Sequence, residues 1–257
     1  MGMTKTLLGL GILCGVLRGQ AQAPIPDAAT LMKDVEAHQA RMDDIRENYT
    51  YHEITQTDEI DKSGKVKSTA SEEHELFFVN GHRIRRLVKK NGAALSAGDQ
   101  KNEAERVRKL VEKQVKAPRG NGGRGRDGNA TFSMRQMLEV MRISNPRRVK
   151  LNGRDAIAYD FTGDRKAKAG TMGQNAARKM SGTVWFDEAD RQVARVEARF
   201  DDNFRIGGGL LVNVQKGTAI QLDQAHVGQG LWMPAGAEVH VAARAFLVDS
   251  VRQNLHV

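Results

Sequence analysis

Apolar and polar residues repeat along this chain with two different periods, and the changes of period mark its elements. From Asp27 to Glu47 the apolar positions Ala28, Leu31, Met32, Val35, Met42 and Ile45 recur at helical spacing, the rhythm of one buried helix stripe. Asp27 after Pro26 supplies an N-cap. Beyond this helix the period falls to two. Tyr49 to Asp58, Lys65 to Val79 and His82 to Lys89 alternate as strands do. They are punctuated by Asp61-Lys62-Ser63-Gly64, Asn80-Gly81 and Asn91-Gly92. Asn-Gly is a strong hairpin signal because both central residues of a type I′ turn need positive φ. The pattern predicts an antiparallel meander of three strands.

Ser96 to Lys116 returns to the helical period, with Ala104, Val107, Leu110, Val111 and Val115 on one stripe and Ser96 three residues before Asp99 as a capping pair. Pro118 to Ala130 carries five Gly and three Arg, a composition that reads as a flexible loop. Phe132 to Ile143 is read as a Met-rich helix with Phe132, Met134, Met137, Leu138 and Met141 available to a core, stopped by Asn145-Pro146.

Strand patterns then fill most of the remainder: Arg148 to Leu151 and Ala156 to Phe161 around Asn152-Gly153, and Thr183 to Asp187 and Gln192 to Phe200 around Glu188-Ala189-Asp190-Arg191. Phe204 to Gln215, Gly217 to Val227, Ala237 to Val248 and Ser250 to Val257 follow, with Gly207-Gly208-Gly209 read as a bend. Lys166 to Met180 is a basic insertion with room for a helical turn or two. In Gln192 to Phe200 the residues Ala194, Val196, Ala198 and Phe200 alternate with Arg195, Glu197 and Arg199, so one face of the sheet is wet. The expected fold is α+β and mainly antiparallel: a curved, half-open barrel of about ten strands with an N-terminal helix and an inserted helical segment.

Composition changes the picture in one respect, the compartment. Residues 1–23 run from a basic start at Lys5 through an apolar stretch from Thr6 to Leu17 to Ala21-Gln22-Ala23, the layout of a secretory signal peptide cleaved near Ala23. The apolar stretch is shorter than the ~20 residues a membrane-crossing helix needs. Cys14 is the one cysteine. Leu13 before it is a poor match for lipidation, and loss of the leader leaves neither a disulfide nor a thiolate catalyst. The leader also takes Lys5 and Arg18 and no acid, so a net charge of +9 falls by two to +7. Export to the periplasm is expected, with residues 24–257 as a single domain carrying the flexible loop 118–130 and the basic insertion 166–180.

The segment Gly182-Thr183-Val184-Trp185-Phe186-Asp187 followed by Val193-Ala194-Arg195-Val196-Glu197 resembles the hairpin of outer-membrane lipoprotein carriers of the LolA/LolB type, and the order of elements resembles theirs over most of the chain. The resemblance implies a half-open barrel whose greasy cavity holds acyl chains without catalysis, and a lipid or lipidated protein as partner. Alternation along the strands nominates Leu76, Phe78, Ile157, Tyr159, Phe161, Val184, Phe186, Val196 and Phe200 as the inward lining. The same residues also suit a core filled by the helices, which would make the chain an envelope scaffold or regulatory interaction module with no ligand.

Other chemistry is thinly represented. There is no G-x-S-x-G, and His74-Glu75 lacks a second His at helical spacing. Gly120 to Gly125 spells G-x-G-x-x-G after a helix rather than a strand, which is the wrong context for a dinucleotide. His52, His74 and His82 fall on successive strands, but no carboxylate pair joins them at ligand spacing. Neither a cofactor, a metal nor a catalytic residue is expected. Arg119, Arg124 and Arg126 among glycines imitate a nucleic-acid segment without its stacking aromatics. Export argues for an anionic membrane surface or polymer as their partner instead, or for plain solvation.

Overall fold

The computed structural model describes residues 24–61, 63, 65–119, 139–206, 212–228, 230–241 and 251–256. The leader, residues 120–130, the 132–138 part of the expected Met-rich helix and Gly207-Gly208-Gly209 lie outside this set. The chain opens with α1 (Ala28–Arg46), then β1 (Tyr51–Ile60), β2 (Val66–Val79), β3 (His82–Lys90), β4 (Ala93–Ala94) and α2 (Ala97–Lys116). There follow β5 (Met141–Leu151), β6 (Arg154–Gly163), α3 (Met172–Ala177), β7 (Met180–Asp187) and β8 (Gln192–Phe200). Last come β9 (Phe204–Ile206), β10 (Val212–Val214), β11 (Ala219–Gly228), β12 (Leu231–His240) and β13 (Val251–His256).

Eleven strands form one antiparallel sheet in the order β4-β3-β2-β1-β13-β12-β11-β8-β7-β6-β5. The sheet does not close on itself: β4 and β5 are both edges, as in an open half-barrel. The expected α+β antiparallel class is therefore the one observed. The hairpins follow from turn chemistry, since Asn80-Gly81, Asn91-Gly92 and Asn152-Gly153 all hold positive φ at both positions. α2 starts where Ser96 Oγ accepts from Asp99 N at 3.1 Å and donates to Asp99 Oδ2 at 2.7 Å.

Four expectations need correction. Residues 141–143, assigned above to a helix, belong to β5, where Met141 pairs with Gly163 and Ile143 with Phe161. Asn145-Pro146 does not stop a helix; the register shift between Ser144 and Arg147 absorbs it as a bulge, which an edge strand tolerates. Phe204 to Gln215 is not one strand of the main sheet, because β9 and β10 pair only with each other. The penultimate strand starts at Leu231 rather than Ala237, paired across Gly228 and Gly230 with β11.

α1 supplies the cover over the sheet. Leu31 and Val35 are fully buried and Met32 nearly so, packed with Ile157, Tyr159, Phe161, Val184 and Phe186. Farther along, Met42 meets Leu231, Met233 and Tyr51. Arg46 ends the helix by donating Nε to the Trp232 carbonyl at 2.8 Å.

Candidate functional site

The candidate site is the sheet face beneath α1. Register brings its floor together: Ile157 lies opposite Phe186, Tyr159 opposite Val184, and Val184 opposite Val196. Phe161 lies opposite Gly182. A β-carbon on Gly182 would meet the Glu197 carbonyl oxygen at 1.9 Å and the Phe161 ring at 2.8 Å, so the aromatic ring and the neighbouring backbone occupy the space a side chain would need. Tyr159 and Phe186 meet edge to face at 6.1 Å. Tyr159 donates its hydroxyl to the Pro26 carbonyl at 2.5 Å, tying the start of α1 to the floor. Burial pushes the Tyr159 phenol above its ordinary pKa.

The nine lining residues named from the sequence are only partly gathered. Ile157, Tyr159, Phe161, Val184 and Phe186 form one cluster with Val196 packed against it. Phe200 sits in a neighbouring cluster with Ala176 and Phe204, its ring stacked on Phe204 at 6.0 Å. Leu76 is fully buried and Phe78 half-buried, but both belong to β2, on the far side of β1 and β13. The basic insertion contributes directly, because Ala176 and Ala177 of α3 are buried in these two clusters. A capping box between Thr171 and Gln174 fixes that short helix.

A polar network closes one end of the floor. Asp187, 1% exposed, accepts from Arg154 Nε at 2.6 Å and Nη2 at 3.0 Å, and from the backbone of Ala189 and Asp190. Burial pushes its carboxyl up, but the Arg154 hydrogen bonds and the turn amides outweigh that and hold it below the ordinary carboxylate value. Asp190 Oδ2 takes Arg154 Nη2 at 2.8 Å and Trp232 Nε1 at 2.9 Å. The Arg154 guanidinium lies 5.5 Å from the Trp232 ring centre. Gln192 donates to Gln224 at 2.9 Å, and Arg46 donates to the same oxygen at 3.1 Å. These contacts hold a turn, two hairpins and the end of α1 in register. Asp187 stood in the hairpin motif, but nothing in the sequence singled out Trp232 or Arg154 as its companions.

The histidines do not converge. His52 pairs with Glu75 and Glu53 with His74, which puts His52 and His74 on opposite faces. His74 lies 3.4 Å from Arg85 Nη2, and burial and then the Arg85 charge lower its pKa. His82 bonds the Pro118 carbonyl at 3.0 Å. Among the described residues no group of three His, Cys, Asp or Glu is placed to hold a metal. No helix among them is long and apolar enough to cross a membrane. On the opposite face, a shallow depression of about 320 Å³ lies across β7, β8, β11 and β12, with Ser181, Thr183, Glu197, Arg199, Gln221 and His240 around it.

No family model matches the chain. A stretch of 66 residues is 38% identical to the large ribosomal subunit protein bL21 of Prochlorococcus marinus, covering 25% of this chain and 43% of that protein. The matched part thus spans less than half of the curated relative. Among solved structures, the chain is similar to a domain from Vibrio parahaemolyticus described as an outer membrane lipoprotein-sorting protein, with 12% identity and TM-score 0.34 over 88% of this chain and 90% of that one. It is also similar to a LolA superfamily protein from Nitrosomonas europaea, with 7% identity and TM-score 0.35 over 90% of this chain and 91% of that one.

Proposed function

We infer that the chain is an exported, non-enzymatic protein of the bacterial cell envelope, acting as one domain, that holds an acyl chain of a lipid or lipidated protein on the sheet face now covered by α1. The observation that carries this reading is the apolar floor of Ile157, Tyr159, Val184 and Phe186, continued by Val196 on β8, whose neighbours Arg195 and Glu197 lie on the reverse and pair there with each other and with Asp223 of β11. Magnitudes allow it. Each buried CH₂ contributes ~0.8 kcal/mol, so about fifteen carbons give a gross ~12 kcal/mol before association costs. The burial of Leu31, Met32 and Val35 that such a chain would replace is worth about 5–9 kcal/mol. Arg119, bonded to Glu47 at 2.7 Å and exposed over most of its side chain, is in this reading a point of contact for an anionic membrane surface. Arg124 and Arg126 lie outside the described residues.

Native mass spectrometry of protein purified from its envelope is expected to show acyl species, released when a fluorescent fatty-acid analogue is added in excess. Bare protein that also ignores the fatty-acid probe overturns the reading. A second reading, a scaffold or regulatory module with a filled core, is favoured by Leu31 and Val35 being fully buried on that floor. It predicts the bare protein, and a partner captured through the basic loop.

A further inference from the structure

The outer edge of β3 is covered in an unusual way. An edge strand presents unpaired backbone groups, and proteins protect them. β4 pairs only with Lys89 and Lys90. Beyond that pair, α2 takes over with side chains: Glu103 Oε1 accepts from the Leu87 amide at 2.7 Å, and Arg106 Nη2 donates to the Arg85 carbonyl. Glu103 and Arg106 are themselves joined at 2.6 Å. A carbonyl and the amide two residues later are the pair that one residue of an adjoining parallel strand would bond. The Glu103–Arg106 couple therefore stands in for a strand. α2 is held there by half-buried side chains such as Glu103, Val107 and Leu110 rather than by a core contact, since none of its twenty residues is fully buried. The end of α2 is tied to the β2–β3 hairpin by hydrogen bonds from Asn80 to the Gln114 and Ala117 carbonyls and by His82 to the Pro118 carbonyl just beyond.

We propose that the β3 edge is a strand-addition site for an acidic extended segment of another protein, guarded in the free molecule by α2. The chemistry of the partner follows from β3 itself, which holds Arg83, Arg85, Arg86, Lys89 and Lys90 in nine residues. On its other edge it already pairs with an acidic strand, β2, where Glu75 meets Arg86 and Glu73 meets Lys89. Those cations remain close to half exposed at 49% and 46%. A second copy of β3 would set like charges against each other across the new ladder, which is unfavourable. Main-chain bonds would supply the attachment and the flanking cations the selectivity.

The test uses the full chain and a fluorescein-labelled peptide, SEEHELFFV, which copies Ser71 to Val79. Glu103→Ala combined with Arg106→Ala is expected to tighten peptide binding about tenfold or more over the unaltered protein. Bound peptide should slow hydrogen exchange at the Leu87 amide, and a peptide with its three Glu replaced by Lys should not bind. Glu103→Gln, which keeps an acceptor, should behave like the unaltered protein. If the double variant does not fold, Arg106→Ala alone should still tighten binding, by a smaller factor. Absence of binding by the folded variant overturns the proposal, as does equal binding of both peptides or binding that leaves Leu87 unprotected. Self-association of the variant without peptide, seen by sedimentation, would instead name a second copy as the occupant and refute the acidic partner.

Discussion

The two wings of the sheet are built on opposite principles. In the β6–β7–β8 wing, the face toward α1 is apolar and dry: Ile157 and Phe186 are fully buried, with Leu31 and Val35 above them. In the β1–β2–β3 wing, the strands are as long, but Glu53 and His74 are buried there, with Arg85 paired to Glu53. Its helix, α2, contributes no buried residue. In the first wing area removed from water dominates, with the buried Asp187 and its partner Arg154 at its end as the contact that responds to pH, while the second wing buries Leu76 and Ile84 beside its charges. Those charges are sensitive to both salt and pH. A ligand with an acyl chain suits the first wing, and a charged polypeptide suits the second.

The sharpest break of this contrast is Phe186→Ala, expected to cost about 3–5 kcal/mol in urea unfolding, a loss that added salt should not change. Asp187→Asn comes next, at about 1–3 kcal/mol once the partial exposure of Arg154 is discounted. Its pH signature has a definite sign. Asp187 is held below its ordinary pKa. Its contribution is therefore complete above the unfolded value near 4 and fades as pH falls through the lower folded value. Denaturation between neutral pH and pH 2 should show the gap between the unaltered protein and Asp187→Asn shrinking toward the acid end. A gap that stays constant would mean that packing, not charge, accounts for the loss.

In the other wing, Glu53→Gln should cost about 1–2 kcal/mol, because Glu53 is buried while Arg85 keeps 42% of its side chain exposed. The smallest effect is expected from Arg86→Ala, at most about 1 kcal/mol, vanishing in 1 M salt since Arg86 and Glu75 form a surface pair. Equal salt response from Phe186→Ala and Arg86→Ala would erase the distinction between the wings.

Local chemistry made much of the fold legible. The Asn-Gly turns, the Ser96 cap and the alternation in β8 all point to the elements that formed. The errors fall where a distant partner decides. Met141 to Ile143 has a helical composition, yet β6 offers it a ladder, and Asn145-Pro146 can sit in an edge bulge that no local rule anticipates. The floor residues on β6 and β7 were readable because hairpin register is local. Leu76 and Phe78 obey the same parity but lie beyond β13 and β1, and sheet order cannot be read from alternation. Trp232 and Arg154 meet only because Asp190 draws both, a contact between residues 36 and 42 positions from that carboxylate.

The place of β13 has a kinetic consequence. It pairs with β1 on one side and β12 on the other, although nearly two hundred residues separate it from β1. During synthesis the hairpins on either side can zip as they emerge, while the seam between them waits for Val251 to His256. Sequence-distant closure of this kind slows folding. Until it happens the nascent molecule exposes two raw margins to whatever chaperone accompanies it.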